Sequence, residues 1–489
     1  MAKVTTIIDI GSNSMRMVVM QKSSRFAFHL INETKARVKI SEGSYENGGN
    51  LQEIPMQRAF NSLKSFLNIS KSLKSRKIFC VATSAMRDAP NSKTFISKVK
   101  NELGLDIKVI DGSKEAYYGG VAALNLIDAN DFITVDIGGG STEFAIVKNR
   151  NIEHVLSLNI GTVRLGELFF SKGDIFGAEK YILNKLEELK SCGYEIPKVV
   201  IGIGGSIRAL SKVVMKKNSY PLDVLHGFTY DVSLNSHLFD SIINAKSTNT
   251  LKTIGVKKDR FDTIKEGTFI FKTILNELNT QEVITSGAGV REGVYLTDLL
   301  RNSNCKFPNN FNVSVRSLLD RFDVDSKTSS YNGANARKIF DALKPIHGLD
   351  DKYRTFLVIA SKLYSIGNSL NFYKGNDYTA EFILNGLNYD FLHSSRIIVA
   401  HIIKFSKKSL PLQRDINKYK MLLPSLETMQ WLSFMISLTL QINQDLSNPK
   451  VEYKLKNSKL YIDMEDDIYL VQSELDKIQT PKSIKIKIK

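Results

Sequence analysis

Short apolar runs alternate with segments of helical spacing through about the first 300 residues. The apolar runs Val4–Ile10, Lys77–Ala82 and 107–110 predict buried strands, whereas apolar positions in 54–72 and 93–103 recur as on one face of a helix. Strands that alternate with helices predict an α/β sheet. Ligands of such sheets bind beyond the carboxyl ends of the strands.

The pattern changes after residue 301. The segment RNSNCKFPNNFN is typical of a linker, the remainder has mostly helical spacing, and VEYKLKNSKLYIDM predicts a hairpin. The last residues, PKSIKIKIK, fit either a basic edge strand or a tail. The predicted helices of this part are 313–322, 334–343, 352–366, 378–387, 394–405 and 425–440.

Composition permits large cores, since the 489 residues are 43% hydrophobic and include only 10 prolines. The length predicts about three domains, which we place at residues 1–124, 125–303 and 304–489. The three cysteines form no CxxC motif, which fits a reducing compartment. Because the sequence shows no signal-peptide core and no apolar run near ~18 residues, we expect a cytoplasmic protein without a membrane partner.

The formal net charge is +17, which attracts polyanions such as nucleic acid, phosphate chains or acidic membranes. Part of the basic excess lies in residues 301–489. Zinc-finger spacing and RNA-binding aromatic signatures are absent from the sequence. We therefore expect no sequence-specific nucleic-acid partner, and phosphate chains become the first choice.

One short pattern occurs twice, as TTIIDIGSNSMR from residue 5 and as FITVDIGGGSTEF from residue 132. Asp9 corresponds to Asp136, and the serines Ser14 and Ser141 follow in matching turns. Either copy alone also fits a strand with a tight turn. Backbone N–H groups of such turns can bind phosphate oxygens, and each Asp can hold a divalent cation or its waters. The repeat predicts two related halves that face one anionic ligand.

Further candidates stand at other strand ends. Arg87 in ATSAMRDAPN can bind phosphate oxygens, and Glu115 in IDGSKEA can deprotonate water if no basic partner lies close to it. Lys114 is its sequence neighbour but need not point towards it. GIGG at 202–205 is a weak phosphate-loop signal. Since P-loop, GxSxG and HExxH motifs are absent, phosphoryl chemistry with carboxylates, Mg²⁺ and backbone N–H groups fits best.

Seven motifs occur in order: IDIGSNSMR, ATSAMRDAPN, IDGSKEAYYGG, VDIGGGSTEF, LNIGTVRLGE, GIGGSIRAL and SGAGVREG. Residues 4–300 thereby resemble the exopolyphosphatase/guanosine pentaphosphate phosphohydrolase (Ppx/GppA) family of the actin and sugar kinase superfamily. The resemblance implies two ribonuclease-H-like α/β domains with a cleft between them, often followed by a helical domain. It also implies Mg²⁺-dependent removal of a terminal phosphate from inorganic polyphosphate or from pppGpp.

The resemblance assigns roles to particular residues. It implies that Glu115 activates the attacking water and that Arg87 contacts the cleaved phosphate. Lys114 is a departure, because family members often carry a second Glu there. The implied ligands near the divalent ion are Asp136, Glu143 and Asp9. The implied phosphate-binding residues are Ser12, Asn13, Ser14, Arg16, Gly138, Gly139, Gly140, Ser141, Arg164, Gly204, Gly205 and Ser206.

The C-terminal part resembles the HD-like helical domain of longer family members, but the metal motif is degenerate. His347 is present, whereas Tyr364 and Ser365 stand where His and Asp are expected, and Ser406 stands where a later His is expected. An HD metal site needs His and Asp ligands together. The sequence therefore predicts a metal-free helical domain that extends a polyphosphate track or supports a homodimer.

These observations lead to a hydrolase hypothesis. We expect a cytoplasmic, Mg²⁺-dependent exopolyphosphatase, since a long polyanion gains most from many basic residues. Hydrolysis of pppGpp, the substrate that would connect the chain to the stringent response, is the alternative within the same class. A non-catalytic sensor of alarmone or polyphosphate and a sugar kinase are the alternatives of other classes.

Overall fold

The computed structural model describes residues 3–465, 469–482 and 484–488. The chain forms two compact units, residues 1–311 and 312–489. The boundary lies at the end of the segment whose composition predicted a linker. The domain ranges 1–124, 125–303 and 304–489 stay predictions, and the two units are described separately.

The first sheet has the strand order β3–β2–β1–β4–β5, with β1 antiparallel to β2 and parallel to β4. Ile8 and Ile10 of β1 pack with Leu63, Phe66 and Phe95 in one core. The strands are β1 (Val4–Ile10), β2 (Met15–Lys22), β3 (Phe28–Ala36), β4 (Lys77–Ala82) and β5 (Ile107–Val109), and the helices up to β5 are α1 (Glu53–Ser72), α2 (Ser84–Arg87) and α3 (Ser92–Leu103).

The second sheet has the order β10–β11–β9–β6–β7–β8. A second core, which includes Val135, Phe144, Leu210 and Phe271, lies between this sheet and its helices. The strands are β6 (Phe132–Ile137), β7 (Thr142–Lys148), β8 (Asn151–Leu158), β9 (Val199–Ile203), β10 (Phe228–Asp231) and β11 (Glu282–Thr285); the helices are α4 (Gly112–Leu126), α5 (Thr162–Leu168), α6 (Ile175–Lys190), α7 (Gly205–Lys217), α8 (Val232–Ile243), α9 (Thr248–Ile254), α10 (Ile264–Glu277) and α11 (Val290–Leu299).

The two sheets repeat one topology. In each, an antiparallel meander (β1–β2–β3 or β6–β7–β8) is extended on the side of its first strand by parallel strands, β4 and β5 or β9 and β11. The second sheet adds β10 at its edge. The repeated sequence pattern thus corresponds to a repeated structure, and the expected actin-like fold of two α/β halves is confirmed.

Two helices cross between the halves. Helix α4 follows the last strand of the first sheet, yet it packs on β7 and β8 of the second sheet. Helix α11 follows the last strand of the second sheet, yet it packs on β1 of the first sheet and on α4. The Tyr295 ring of α11 meets Phe28 of β3 at 4.8 Å between ring centroids. Each sheet therefore has a covering helix from the other half of the sequence.

The second unit is mainly helical, as its sequence pattern predicted. Strands β12 and β13 form the predicted hairpin, and the Lys–Ile alternation of the last residues forms β14, an edge strand parallel to β13. The helices are α12 (Val313–Arg321), α13 (Ser326–His347), α14 (Asp351–Leu363), α15 (Gly375–Gly386), α16 (His393–Lys404), α17 (Gln413–Ile416), α18 (Leu426–Ile442) and α19 (Tyr469–Leu475), and the strands are β12 (Val451–Lys456), β13 (Lys459–Met464) and β14 (Lys485–Ile488).

His347 ends α13 as a packed residue. Its Nδ1 accepts from the backbone N–H of Leu349 at 2.9 Å, and its ring lies 4.5 Å from the Phe340 ring and 5.8 Å from Trp431. Burial lowers the pKa of His347. The His347 ring is thus a packed side chain that also accepts a backbone hydrogen bond just beyond α13.

Within the described residues, no helix is long and apolar enough to cross a bilayer.

Candidate active site

The two turns of the repeated motif meet in one cleft of about 150 Å³. The cleft lies beyond the carboxyl ends of β1, β4, β6 and β9. A Cβ added to Gly139 would lie 2.7 Å from the Ser12 Cβ, so the loops touch. Each turn folds back in the same way, because a Cβ on Gly11 would lie 3.2 Å from the Ser14 carbonyl oxygen and a Cβ on Gly138 3.0 Å from that of Ser141. The sequence repeat thus becomes a pair of facing loops.

Each loop connects an antiparallel hairpin with an acidic residue at the same position. In the β1–β2 hairpin Asp9 lies opposite Arg16, and in the β6–β7 hairpin Asp136 lies opposite Glu143. Directly opposite residues point to the same face of a sheet. The first hairpin therefore presents two side chains of opposite charge to the cleft, and the second presents two carboxylates.

The buried carboxylates have raised pKa values. Burial, together with the neighbouring Asp9 carboxylate, raises the pKa of Asp136 to about 6. Burial and the Asp136 charge raise the pKa of Glu143 to about 7, although Ser157 donates to its Oε1 at 2.8 Å. Burial also raises the pKa of Asp9. Such shifts mark a site that a cation would stabilise.

Glu115 lies in the first turn of α4, 9% exposed, and lines the same cleft. The sequence interpretation assumed a base without a close basic partner, and that is wrong. The Nη1 of Arg87 donates to Glu115 Oε2 at 3.3 Å and to the Ile110 carbonyl at 3.0 Å. Lys114 instead points its ammonium at the Tyr117 ring, 4.5 Å from the centroid. Long side chains reach partners far away in sequence, which local spacing does not reveal.

Despite Arg87, the pKa of Glu115 is raised well above its usual value, first by burial and then by Glu143. A raised carboxyl pKa brings a base nearer to the pH at which it works. The geometry thus leaves Glu115 able to accept a proton while Arg87 fixes its orientation.

Arg164 joins the halves beside the cleft. Its Nε donates to the Gly140 carbonyl at 2.8 Å, and its Nη2 donates to Asp88 Oδ2 at 2.9 Å. Asp88 also lies 3.7 Å from the Nε of Arg87. The arginine therefore connects the second loop to the strand end that carries Arg87.

Most of the residues to which the sequence assigned a role come together in this cleft. Arg87, Gly140 and Arg164 do not line it and lie beside it. The residues with assigned roles that do line it are Glu115, Asp9, Asp136, Glu143, Ser12, Asn13, Ser14, Arg16, Gly138, Gly139, Ser141, Gly204, Gly205 and Ser206. Their individual roles stay predictions.

The sequence interpretation missed three arginines of the cleft, Arg208, Arg260 and Arg291. Arg208 donates to the carbonyls of Ser286 at 2.8 Å and Ala288 at 3.3 Å. Burial and the neighbouring Arg291 lower its pKa to about 10. Arg208 and Arg291 lie inside the motifs GIGGSIRAL and SGAGVREG, so the sequence offered a signal for these two arginines. Arg260 lies in no motif.

Gly204 shows why glycine is needed after β9. Its φ is +90°, and a Cβ would lie 2.7 Å from Asp136 Oδ1. The backbone of this loop thus approaches the acidic pair directly, which a larger residue would prevent.

The donor set fits a divalent cation that shares its ligands with a substrate. Among the described residues, no group of three or more His, Cys, Asp or Glu side chains is arranged to hold a metal. Mg²⁺ is usually bound by one or two carboxylates plus water and substrate phosphates. The Asp136–Glu143 pair supplies such carboxylates.

Facing loops on two sheets of one topology are the arrangement of the actin-like class of α/β proteins. The model of the Ppx/GppA phosphatase family matches residues 18–302. The chain belongs to the Ppx/GppA phosphatase family, whose members hydrolyse phosphoanhydride bonds.

Two curated relatives are similar to this chain. The bifunctional 3-dehydroquinate synthase/phosphatase of Fusobacterium nucleatum is 30% identical over 303 residues, which are 57% of this chain and 44% of that protein. The guanosine-5'-triphosphate,3'-diphosphate pyrophosphatase of Aeromonas hydrophila is 25% identical over 392 residues, 77% of this chain and 75% of that protein. The chain thus spans less than half of the first relative and three quarters of the second.

Solved structures agree with the fold. The Ppx/GppA family member of Aquifex aeolicus has 28% identity and a TM-score of 0.53, over 62% of this chain and 99% of that one. An exopolyphosphatase from Cytophaga hutchinsonii has 23% identity and a TM-score of 0.57, over 61% of this chain and 98% of that one, which bears on the fold alone.

Proposed function

We propose that this chain is an exopolyphosphatase that releases the terminal phosphate of inorganic polyphosphate. The observation that carries the proposal is the single cleft in which two phosphate-type loops face four buried or half-buried carboxylates and four arginines. The carboxylates are Asp9, Glu115, Asp136 and Glu143, and the arginines are Arg16, Arg208, Arg260 and Arg291.

Asp136 and Glu143 would hold Mg²⁺, with Asp9 close to its waters. When bound, Mg²⁺ neutralises charge on the phosphate oxygens. Burial first, and then the charge of a neighbouring carboxylate (Asp9 for Asp136, Asp136 for Glu143), raises the pKa values of these two groups. The carboxylate charges would also oppose a phosphate chain, so the cofactor and the substrate would bind together.

The loops and arginines would hold the chain end. Ser12 and Gly139 of the two loops line the cleft, and preorganised donors stabilise charge that develops on a transferred phosphoryl group. Arg16 lies beside them and also donates to Glu33 at 3.4 Å. These groups would offset the negative charge of the terminal phosphate.

Glu115 would orient a water molecule in line with the phosphoanhydride bond and accept its proton. The leaving group would be the shortened polyphosphate. Arg87 would act as a positioning residue, because it contacts Glu115 and does not line the cleft.

The lining of the cleft favours polyphosphate over a nucleotide. Among the described residues that line it, none is aromatic, and the apolar members are Ile137, Ile203 and Val290. A purine base binds best where an aromatic ring can stack on it. The formal net charge of +17 also favours a long polyanion.

Hydrolysis of pppGpp is the second candidate. The Aeromonas relative, named a guanosine-5'-triphosphate,3'-diphosphate pyrophosphatase, aligns over 77% of this chain. Under this proposal the chain would act in the stringent response. A sensor without turnover is the remaining alternative.

The first test is phosphate release by the purified full chain with Mg²⁺, comparing polyphosphate and pppGpp at equal concentrations of chain ends. We expect faster release from polyphosphate, and we expect Glu115→Gln to lower the rate by about 10²–10⁴-fold. Glu179→Gln, at an exposed position on α6, is the matched control and should keep the rate. Faster release from pppGpp would select the second candidate, and binding of both without release would indicate a sensor.

The same proposal covers the compartment, the oligomeric state and the second unit. The chain would act in the cytoplasm as a homodimer, and its second unit would be an HD-like domain without a metal. In that unit Ser406 accepts from the Asn376 amide at 3.0 Å and donates to the Ile403 carbonyl at 2.6 Å, which is a structural use of the position where a metal-binding His was expected.

A further inference from the structure

A second cavity, of about 510 Å³, lies at the opposite end of the first sheet from the cleft. Asp9, near the carboxyl end of β1, lines the cleft, whereas the first residues of β1 line this second cavity. The C-terminal part of α11 forms the other wall, from Tyr295 to Ser303 beyond the helix end. We call this cavity the basal pocket. Its lining residues are Lys3, Val4, Thr5, Lys22, Arg25, Phe26, Arg76, Lys77, Tyr295, Asp298, Leu299, Arg301, Asn302 and Ser303.

The basal pocket is strongly basic. Among the described residues that line it, six are Lys or Arg, and Asp298 is the one carboxylate. Asp298 accepts from Lys77 at 2.9 Å and from Arg301 at 3.4 Å. Its charge is therefore shared by two of the six cations.

The other four cations that line the basal pocket are Lys3, Lys22, Arg25 and Arg76. Within residues 3–465, 469–482 and 484–488, Lys3, Lys22, Arg25 and Arg76 form no ion pair. Burial and the charges of Lys3, Arg301 and Arg25 lower the pKa of Lys22. Mutual repulsion of this kind is relieved when an anion binds between the charges.

The basal pocket also has an apolar and aromatic part. Val4, Phe26, Tyr295 and Leu299 contribute to its wall, and the Arg25 guanidinium lies 5.0 Å from the centre of the Phe26 ring. The volume falls in the range of small-molecule sites, about 300–1,000 Å³. A compact anion fits a pocket of this size.

We propose that the basal pocket binds the di- or triphosphate group of a small phosphorylated ligand. Lys3, Lys22, Arg25 and Arg76 bind the phosphate oxygens. Phe26 packs against any organic part of the ligand. The site is non-catalytic, because it lacks the paired carboxylates and the facing loops of the cleft. This inference does not rest on the proposed substrate of the cleft.

The test is calorimetric titration of the full chain with inorganic tripolyphosphate in EDTA. Without a divalent cation, the carboxylates of the cleft oppose anion binding there, whereas the basal pocket needs no metal. We expect one site per chain, and we expect the double substitution Lys22→Glu/Arg25→Glu to weaken binding at least about tenfold. Arg16→Gln, a change in the cleft, should leave this binding unchanged.

A matched pair of substitutions controls for the overall charge. Lys64→Glu/Lys71→Glu makes the same change of charge at exposed positions on α1 and should keep the affinity. An equal loss in both double variants, or wild-type affinity in Lys22→Glu/Arg25→Glu, would overturn the inference. If the charge reversal impairs folding, Lys22→Gln/Arg25→Gln gives the same comparison with a smaller perturbation.

A titration with ATP distinguishes the sources of the phosphate group. Tighter binding of ATP than of tripolyphosphate, lost on Phe26→Ala, would identify a nucleotide ligand. Equal binding of both would mean that the pocket recognises the phosphates alone. Either result supports the site, and binding of neither compound would refute it.

Discussion

The β1–β2 and β6–β7 hairpins have the same backbone design and opposite electrostatics. In each hairpin the first strand carries an Asp one residue before its end, and the chain then passes through a turn of small residues and returns as an antiparallel strand. Opposite Asp9 the first hairpin places Arg16, and opposite Asp136 the second places Glu143. One substitution at the opposing position therefore separates an acid–base pair from a carboxylate pair.

The difference shows how one repeated motif can supply two functions. Burial raises the pKa of Asp9, although Arg291 and then Arg16 act to lower it. In the second hairpin, burial and then the Asp136 charge raise the pKa of Glu143 to about 7. We infer that the second hairpin binds the cation and the first binds phosphate.

The largest expected effect comes from the carboxylate pair. We expect Asp136→Asn to lower phosphate release at saturating Mg²⁺ by more than about 10²-fold. We expect Asp9→Asn to lower it only about tenfold, since changing a residue that acts on a metal through its waters or ligands costs about 10–100-fold. Steady-state rates over a series of Mg²⁺ concentrations measure both. Equal losses would mean that the hairpins have equivalent roles.

A smaller effect is expected when the first hairpin is made to resemble the second. Arg16→Glu places another carboxylate beside Asp9 and removes a cation from the cleft. We expect KM for polyphosphate to rise about tenfold and kcat to change less, because the lost contact serves binding. A fall in kcat at constant KM would instead place Arg16 in the chemical step.

The raised carboxyl pKa values predict how stability changes with pH. The folded chain keeps protons on Asp136 and Glu143, with pKa values of about 6 and 7, that the unfolded chain would release. The stability that these bound protons contribute is fully present below the ordinary carboxyl pKa and is lost as pH rises through about 6 and 7. In EDTA, Tm should therefore fall from about pH 5 to about pH 8.

The fall in Tm with rising pH should be on the order of a few degrees, and it should be smaller in Glu143→Gln. Thermal unfolding with and without Mg²⁺ at the higher pH measures it. Mg²⁺ should restore Tm in the wild type and much less in the variant. A wild-type Tm that does not change with pH would contradict the raised pKa values of Asp136 and Glu143.

The smallest expected effect compares the turns themselves. An alanine Cβ at Gly138 would lie 3.0 Å from the Ser141 carbonyl oxygen, and at Gly11 3.2 Å from that of Ser14. We expect Gly138→Ala to cost about 1 kcal/mol of unfolding free energy and Gly11→Ala less, because the closer contact needs a larger shift. Urea unfolding checks the order of the two.

Much of this fold could be read from local patterns. The strands next to the repeated motif, helices α1 and α3, and helices α12 to α16 and α18 of the second unit follow from apolar spacing. The carboxylates of the cleft follow from the motifs, because residues at the carboxyl ends of neighbouring strands share one edge of the sheet.

What the patterns could not give were long-range partners. The side chain of Arg87 reaches Glu115, which is 28 positions away, and a long flexible side chain has many rotamers among which spacing does not choose. Arg260 enters the cleft from a segment with no motif of its own. Likewise, apolar spacing shows that α4 and α11 have a buried face, but not which sheet covers it.

The crossing of α4 and α11 has a consequence for biosynthesis. The first sheet is completed in sequence by residue 109, yet α11, which packs on β1, spans residues 290–299. During translation from the N-terminus, one face of the first sheet lacks its covering helix until most of the first unit has left the ribosome. The earliest strands made are thus among the last to be fully buried, and a nascent chain that stops before α11 would expose β1 to other chains.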